Sequence, residues 1–221
     1  LGPTSYGDSP YQALSSFAGN PYLIDFDLLI EDGLLTKDEV KRHYWGNDKN
    51  KIDYGAIYSN RYSILYSAYI KGKEKYKKEI EEFKEENFSW LEDYTLFMAL
   101  KRHYGMKSVI EWPEETRKRD KATLARYRNE LADDISFFTF LQFIFFKEWN
   151  ALRSYAKEKS IGIIGDIPIY VALDSAEVWA NPEEFQLDEN FIPTEVSGVP
   201  PDYFNKDGQL WGNPLYNWDK M

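Results

Sequence analysis

Residues 161–171, Ile-Gly-Ile-Ile-Gly-Asp-Ile-Pro-Ile-Tyr-Val, set the strongest constraint on the fold. A run this rich in β-branched apolar side chains reads as a strand buried on both faces. Such strands belong to parallel sheets covered by helices. One carboxylate, Asp166, and one proline, Pro168, interrupt the run. Proline has no N–H for the ladder, so regular pairing is expected to stop near Pro168. Asp166 would then stand at the carboxyl end of a buried strand, where α/β folds place their chemistry. A plainer reading is equally open at this point: a buried aspartate that only hydrogen-bonds a turn.

Upstream, residues 25–159 read as helix with short breaks. Thr36-Lys37-Asp38-Glu39 has the capping-box spacing and opens a helix expected to end at Gly46. Ile57, Ile64, Leu65, Ala68 and Tyr69 recur at helical spacing until Gly72. Residues 74–86 are charged, with Tyr76, Ile80 and Phe83 on one stripe. Ser89-Trp90-Leu91-Glu92 reads as a second capping box, opening a helix to about His103, before Gly105. Trp112-Pro113 marks a loop, a further helix covers about 121–133, and residues 135–158 form one long helix. Aromatics at helical spacing here, including Tyr58, Tyr62, Tyr66 and Trp149, are assigned to core. The block looks like a helical insertion with a strand expected on either side.

Charge and composition exclude several classes. The net charge of −10 speaks against a nucleic-acid surface, because phosphate contacts need clustered Lys and Arg. The basic runs at 71–84 and 117–128 are interleaved with Glu and Asp and read as solvated helix faces. Cysteine is absent, which removes disulfides and thiolate metal sites and fits a reducing, cytoplasmic compartment. His43 and His103 have no ligand-spaced partners, so neither a metal nor a cofactor is expected. The apolar run at 135–146 is too short to span a bilayer and leads directly into Lys147 and Glu148. No signal peptide is visible, and neither terminus has tail character, so segments missing at both ends are expected.

The first 21 residues are turn-rich yet carry Tyr6, Tyr11, Gln12 and Phe17, and loops holding such groups are where binding residues concentrate. For any single ring, packing of the loop onto the body is the plainer account. After residue 171, Asp174-Ser175-Ala176-Glu177 resembles a third capping box, which assigns Asp174 and Glu177 to capping. Residues 181–218 then read as a long proline-stiffened stretch with little regular structure, usually a sign of function. No phosphate-cradling loop or nucleophile elbow is present. What remains is carboxylates, amides and loop aromatics: Tyr11, Gln12, Asp166, Asp202, Tyr203, Phe204, Gln209, Trp211 and Asn213. That mixture suits carbohydrate, whose C–H faces stack on rings while its hydroxyls need paired donors and acceptors.

At these residues the chain resembles a known family. The carrying stretches are Leu1-Gly-Pro-Thr-Ser-Tyr-Gly-Asp-Ser-Pro-Tyr-Gln12, Gly19-Asn-Pro-Tyr-Leu-Ile-Asp25, Gly165-Asp-Ile-Pro-Ile-Tyr-Val-Ala172, Asp174-Ser-Ala-Glu-Val-Trp-Ala-Asn-Pro182, Gly198-Val-Pro-Pro-Asp-Tyr-Phe204 and Gly208-Gln-Leu-Trp-Gly-Asn-Pro-Leu-Tyr216. They are similar to the amylomaltases, the 4-α-glucanotransferases of glycoside hydrolase family 77, called disproportionating enzymes in plants. The resemblance runs the length of the chain, in the family's order, and makes the chain look like an internal fragment of such an enzyme.

The resemblance implies an α/β chain, part of a (β/α)8 TIM barrel with a large α-helical insertion. Residues 1–26 would be a barrel loop leading into the helical region. Residues 27–159 would be insertion and barrel helices, and residues 160–221 a barrel strand with a long substrate-binding loop. It implies retaining transfer of α-1,4-glucan segments from maltooligosaccharide donors to glucose or another glucan, without a membrane or nucleic acid. By resemblance, Tyr11 would shape the donor site near the cleaved bond, and Asp166 would bind hydroxyls of the innermost subsite. Ser9, Gln209 and Trp211 would line donor subsites, with Asn213 among the substrate-binding residues, and Tyr6 would belong to a second glucan site. The loop with Asp202, Tyr203 and Phe204 would cover the acceptor side. The family's catalytic carboxylates would lie beyond Met221, leaving no catalytic residue here. Two other classes remain to be weighed: a non-catalytic α-glucan-binding module, and a helical interaction domain built on residues 25–159.

Overall fold

The computed structural model describes residues 2–4, 6–48, 50–166 and 169–220. In chain order the described helices are α1 (Phe26–Glu31), α2 (Lys37–Lys41), α3 (Tyr54–Lys75), α4 (Lys77–Glu86), α5 (Phe88–His103), α6 (Glu114–Arg117), α7 (Lys121–Glu130), α8 (Ala132–Glu158) and α9 (Ala176–Ala180). One antiparallel pair, β1 (Val196–Val199) and β2 (Gln209–Pro214), is the only named sheet among the described residues. The result is a mostly helical α/β chain. It divides into two compact units: residues 1–18, 92–135 and 165–221, and residues 19–91 and 136–164. These units do not follow the chain-order boundaries at 26 and 159.

The second unit is organised on α3, α4 and α8. Along α8 the side chains of Phe137, Phe138, Phe140, Leu141 and Ile144 are buried, as the long apolar run requires. The amide inside that run is satisfied without solvent. Gln142 is fully buried and clamps Gly19, accepting from its N–H at 2.7 Å and donating to its carbonyl at 3.0 Å. From α3, Ile64, Leu65, Ala68 and Tyr69 face this core, and Tyr76 and Phe83 continue the stripe with rings against Phe143. Gly72 does not end α3, which runs on to Lys75. Its lack of a side chain serves packing instead, because a Cβ there would meet the Phe140 ring at 2.5 Å. Of the aromatics assigned to core, Tyr66 packs edge-on to Phe137, while Tyr58 is 48% exposed with its ring edge-on to Tyr22.

Helix signals are met unevenly. The Thr36/Glu39 capping box forms in both directions, although α2 stops at Lys41 rather than near Gly46. Ser89 does not cap, because α5 has already started at Phe88. Gly105 does close α5, at φ 65°. Helix α8 ends with Ser160 at φ 57° and an Ile161 N–H bonded back to the Ala156 carbonyl at 2.9 Å, the pattern a left-handed C-terminal residue produces.

Among the described residues of the run 161–171 no strand is formed. Residues 161–166 carry no regular structure, and Ile161, Ile163 and Ile164 are 60%, 49% and 98% exposed. A strand exists by pairing, and no described residue offers this run a ladder partner. Among the described residues no strand directly flanks the expected helical insertion, and β1 and β2 come only after α9. Ile167 and Pro168, where pairing is expected to end, lie outside them.

The first unit has its own core. Trp179 of α9 is fully buried against Phe97 and Trp112, its indole N–H donating to the Thr116 carbonyl at 3.1 Å. A second cluster comprises Val171, Val178 and Phe185, with Leu173, Leu187 and Tyr216 packed on it. The β1–β2 hairpin has no counterpart in the sequence-based expectations. Gly208 makes it possible: it turns at φ 72°, and a Cβ there would meet the Val199 carbonyl oxygen at 2.6 Å.

Candidate functional site

The site lies in the first unit, where three separate pieces of chain are tied together. The N-terminal loop opens with a 3₁₀ turn, Tyr6–Asp8, at which Gly7 and Asp8 take φ of 65° and 52°. Leu14 N–H bonds the Pro3 carbonyl at 2.7 Å and Thr4 pairs with Ala13, closing the loop on itself. Ser9 lies inside it and accepts from the Tyr11 N–H at 3.3 Å through its hydroxyl. Tyr11 stands with its ring outward, 58% exposed.

Tyr11 donates its hydroxyl to Asp166 at 3.1 Å. Beside that carboxylate the phenol is held above its ordinary range, first by the hydrogen bond and then by the negative charge, so it stays a donor at neutral pH. Asp166 is exposed rather than buried, which removes the reading of it as an interior turn carboxylate. One of its oxygens carries the phenol, and the group faces solvent.

The hairpin supplies the second edge. Trp211 is 40% exposed, its indole N–H donates to the Gln209 side chain at 3.1 Å, and its ring lies 6.3 Å from that of Tyr170. A partly exposed indole with a polar amide beside it can stack a sugar face and offer a hydrogen bond at its rim. In the loop between β1 and β2, Asp202 accepts the N–H groups of Phe204 and Asn205 at 2.9 and 2.7 Å. Its carboxylate therefore shapes the loop tip, and the groups presented outward are Tyr203 and Phe204, 98% and 90% exposed and edge-to-face at 5.8 Å.

Asn213 departs from the sequence expectation. It is 4% exposed, so it does not face a ligand. Its amide instead joins three segments: it accepts from Gln12 at 3.2 Å and from Ser197 at 3.4 Å, and donates to the Val171 carbonyl at 2.9 Å. A buried amide needs such partners, and here they hold the loop residue next to Tyr11 against the strand that carries Trp211. The Tyr6 side chain lies outside what the structure describes.

Asp174 and Glu177 also depart from it. The residue that caps α9 is Ser175. Asp174 pairs with the buried Lys101 ammonium at 2.5 Å and accepts the Val109 N–H at 3.0 Å. Glu177 reaches to the N-terminal loop and accepts the Ser15 hydroxyl at 2.6 Å and the Ser16 N–H at 3.0 Å. Burial pushes its carboxyl up from the usual value, only partly opposed by those bonds. The capping-box spacing concealed both roles, because such a spacing reports only local partners. Among the described residues no cluster of His, Cys, Asp and Glu could hold a metal ion, and no helix is long and apolar enough to cross a membrane.

The family model described as 4-alpha-glucanotransferase, glycoside hydrolase 77, matches residues 1–221. The chain belongs to this family. It is 47% identical over 219 residues to a 4-alpha-glucanotransferase of Clostridium butyricum, covering 99% of this chain and 45% of that protein. A 4-alpha-glucanotransferase of Thermus thermophilus is 49% identical over 225 residues, covering all of this chain and 44% of the relative. Among solved structures, an amylomaltase from Streptococcus agalactiae in complex with acarbose superposes with a TM-score of 0.94 at 43% identity. The match covers 99% of this chain and 45% of that one. The glycoside hydrolase 77 chain thus spans a little under half the length of the relatives it matches. The exposed isoleucines at 161–164 fall inside that span, as do the loop, the hairpin and α9.

Proposed function

We propose that this chain is the donor-side substrate-binding part of a 4-α-glucanotransferase that moves α-1,4-glucan segments between maltodextrins by a retaining mechanism. The observation that carries the reading is the Tyr11–Asp166 pair, exposed and hydrogen-bonded at 3.1 Å, with the Trp211–Gln209 edge tied to the same loop through Gln12 and Asn213. A carboxylate, a phenol, an amide and an indole on chain segments tied by these bonds match the alternating hydroxyls and C–H faces of a glucosyl unit. Family membership and the acarbose-bound amylomaltase that superposes on this chain support the substrate class.

In this reading Asp166 binds hydroxyls of the innermost donor subsite, Tyr11 orients that carboxylate beside the cleaved bond, and Ser9, Gln209 and Trp211 line the donor path. Tyr203 and Phe204 cover the acceptor, where glucose or a second glucan enters, and Tyr6 serves a second glucan site. The catalytic carboxylates of the retaining mechanism are supplied by the part of the protein beyond this chain. Residues 161–171 are one strand of a (β/α)8 barrel that pairs only in the complete protein, which accounts for residues 161–166 standing without a ladder partner here. A cytoplasmic location is proposed with it, supported by the absence of cysteine.

The test is product analysis of the full-length protein on maltotriose. Glucose and longer maltooligosaccharides should appear together with no net gain in reducing ends. Net hydrolysis, or no conversion, would refute the reading.

A further inference from the structure

Glu177 is connected in a way that neither helix capping nor substrate contact explains. Helix α9 is a fixed platform: Ser175 caps it, Trp179 is buried with its indole bonded to Thr116, and Val178 is buried against Val171 and Phe185. From this platform two connections run to the N-terminal loop. The Ala176 N–H donates to the Leu14 carbonyl at 2.9 Å, and Glu177 Oε1 receives both the Ser15 hydroxyl and the Ser16 N–H. Ser15 is itself buried, and its oxygen in turn accepts the N–H groups of Phe17 and Ala18 at 3.1 and 3.2 Å. One carboxylate oxygen thus organises four consecutive loop residues. The second oxygen, Oε2, is buried with no hydrogen-bond partner. A half-satisfied buried carboxylate costs stability, and a position that retains one is usually held there by what the group positions.

What lies at the other end of the loop is Tyr11, three residues before Leu14 and joined to Asp166. Resting on the transferase reading above, we propose that Glu177 is a positioning residue for the donor subsite. It fixes residues 14–18 on α9 and, through them, sets where the Tyr11 phenol meets Asp166. Glu177 touches no substrate. It acts on the geometry of a side chain that does, and a small displacement of such a group slows reaction far more than the strength of one hydrogen bond suggests.

The experiment uses the full-length protein with Glu177→Ala, Glu177→Gln, Ser15→Ala, Tyr11→Ala and the Glu177→Ala/Tyr11→Ala double variant. It reads kcat and KM for maltotriose disproportionation together with amide hydrogen exchange at Ser16, Phe17 and Ala18. Glu177→Ala should lower kcat/KM by about tenfold or more and speed exchange at those three amides. Glu177→Gln keeps an acceptor for both donors and should stay within about threefold of wild type. Ser15→Ala should follow Glu177→Ala in direction, which covers the case in which the glutamate variant folds poorly. In the Tyr11→Ala background, Glu177→Ala should add less than about twofold, because the group it positions is gone. Multiplicative losses in the double variant, or unchanged exchange in an active protein, would overturn the positioning role alone. A wild-type protein that transfers nothing would instead overturn the functional reading, and this role with it.

Discussion

Tyr11 and Asp166, 155 residues apart in the chain, meet through a single 3.1 Å hydrogen bond from phenol to carboxylate on an exposed surface. Tyr11→Phe removes the donor and keeps the ring. It should lower maltotriose transfer by about three- to tenfold in kcat/KM, the scale of one ordinary solvent-exposed hydrogen bond. The carboxylate holds the phenol's proton to higher pH than a free tyrosine, so this group should cause no alkaline loss of activity below about pH 10. A pH–rate profile of wild type and Tyr11→Phe with the same alkaline limb up to that point is the check.

Lys101 and Asp174 form an ion pair in which the lysine side chain is only 2% exposed, its ammonium also donating to the carbonyls of Met106 and Lys107 at 3.1 and 2.8 Å. Removing one partner strands the other, so Lys101→Met should cost about 3 kcal/mol in urea denaturation. The Lys101→Met/Asp174→Leu double variant should recover part of that loss, since no lone charge remains while the Met106 and Lys107 carbonyls and the Val109 N–H still lose their partner.

Glu148 gives stability a pH dependence. Burial drives its carboxyl up to about 7, against an opposing bond from the Asp25 N–H and the nearby charges of Lys147 and Arg61. A carboxyl whose folded value is raised binds its proton more tightly in the folded state. Its contribution is fully present below about pH 4.5 and is lost as pH rises through about 7. Glu148→Gln should therefore flatten the fall of melting temperature across that window, as thermal unfolding at a series of pH values would show.

Gly72 predicts the opposite of its helix propensity. Alanine in a helix interior ordinarily gains about 1 kcal/mol over glycine. At Gly72 the added methyl would meet the Phe140 ring at 2.5 and 2.8 Å, so Gly72→Ala should destabilise by about 1–3 kcal/mol in denaturant titration. Gly55→Ala, where the nearest atom is 3.4 Å away, should not.

These residues also show where sequence reading succeeds. Helix α8 is legible because an apolar run with few polar residues inside it, Thr139 and Gln142 among them, can be buried in few ways, and Thr36/Glu39 because a capping box is satisfied locally. Gly72 and Ser89 mislead because stop and start signals are weak beside the tertiary packing that decides where a helix continues. The 161–171 run reads as a strand only on the assumption of neighbours, and pairing is not a property of the segment itself. In the site, Tyr11 and Trp211 stand out as aromatic groups in turn-rich chain, and Asp166 as the one carboxylate in an apolar run. Asn213 and Glu177 have similar chemistry, yet their roles depend on burial and on partners 201 and 162 residues away, which no local spacing records.

The most direct measurement is maltotriose disproportionation by the full-length protein carrying Asp166→Ala, compared with wild type at matched folding by circular dichroism. The expected result is a fall in kcat/KM of about ten- to a hundredfold, the scale of losing a charged hydrogen bond to the sugar. An Asp166→Ala protein that transfers glucosyl units as well as wild type would show that this surface does not bind the donor.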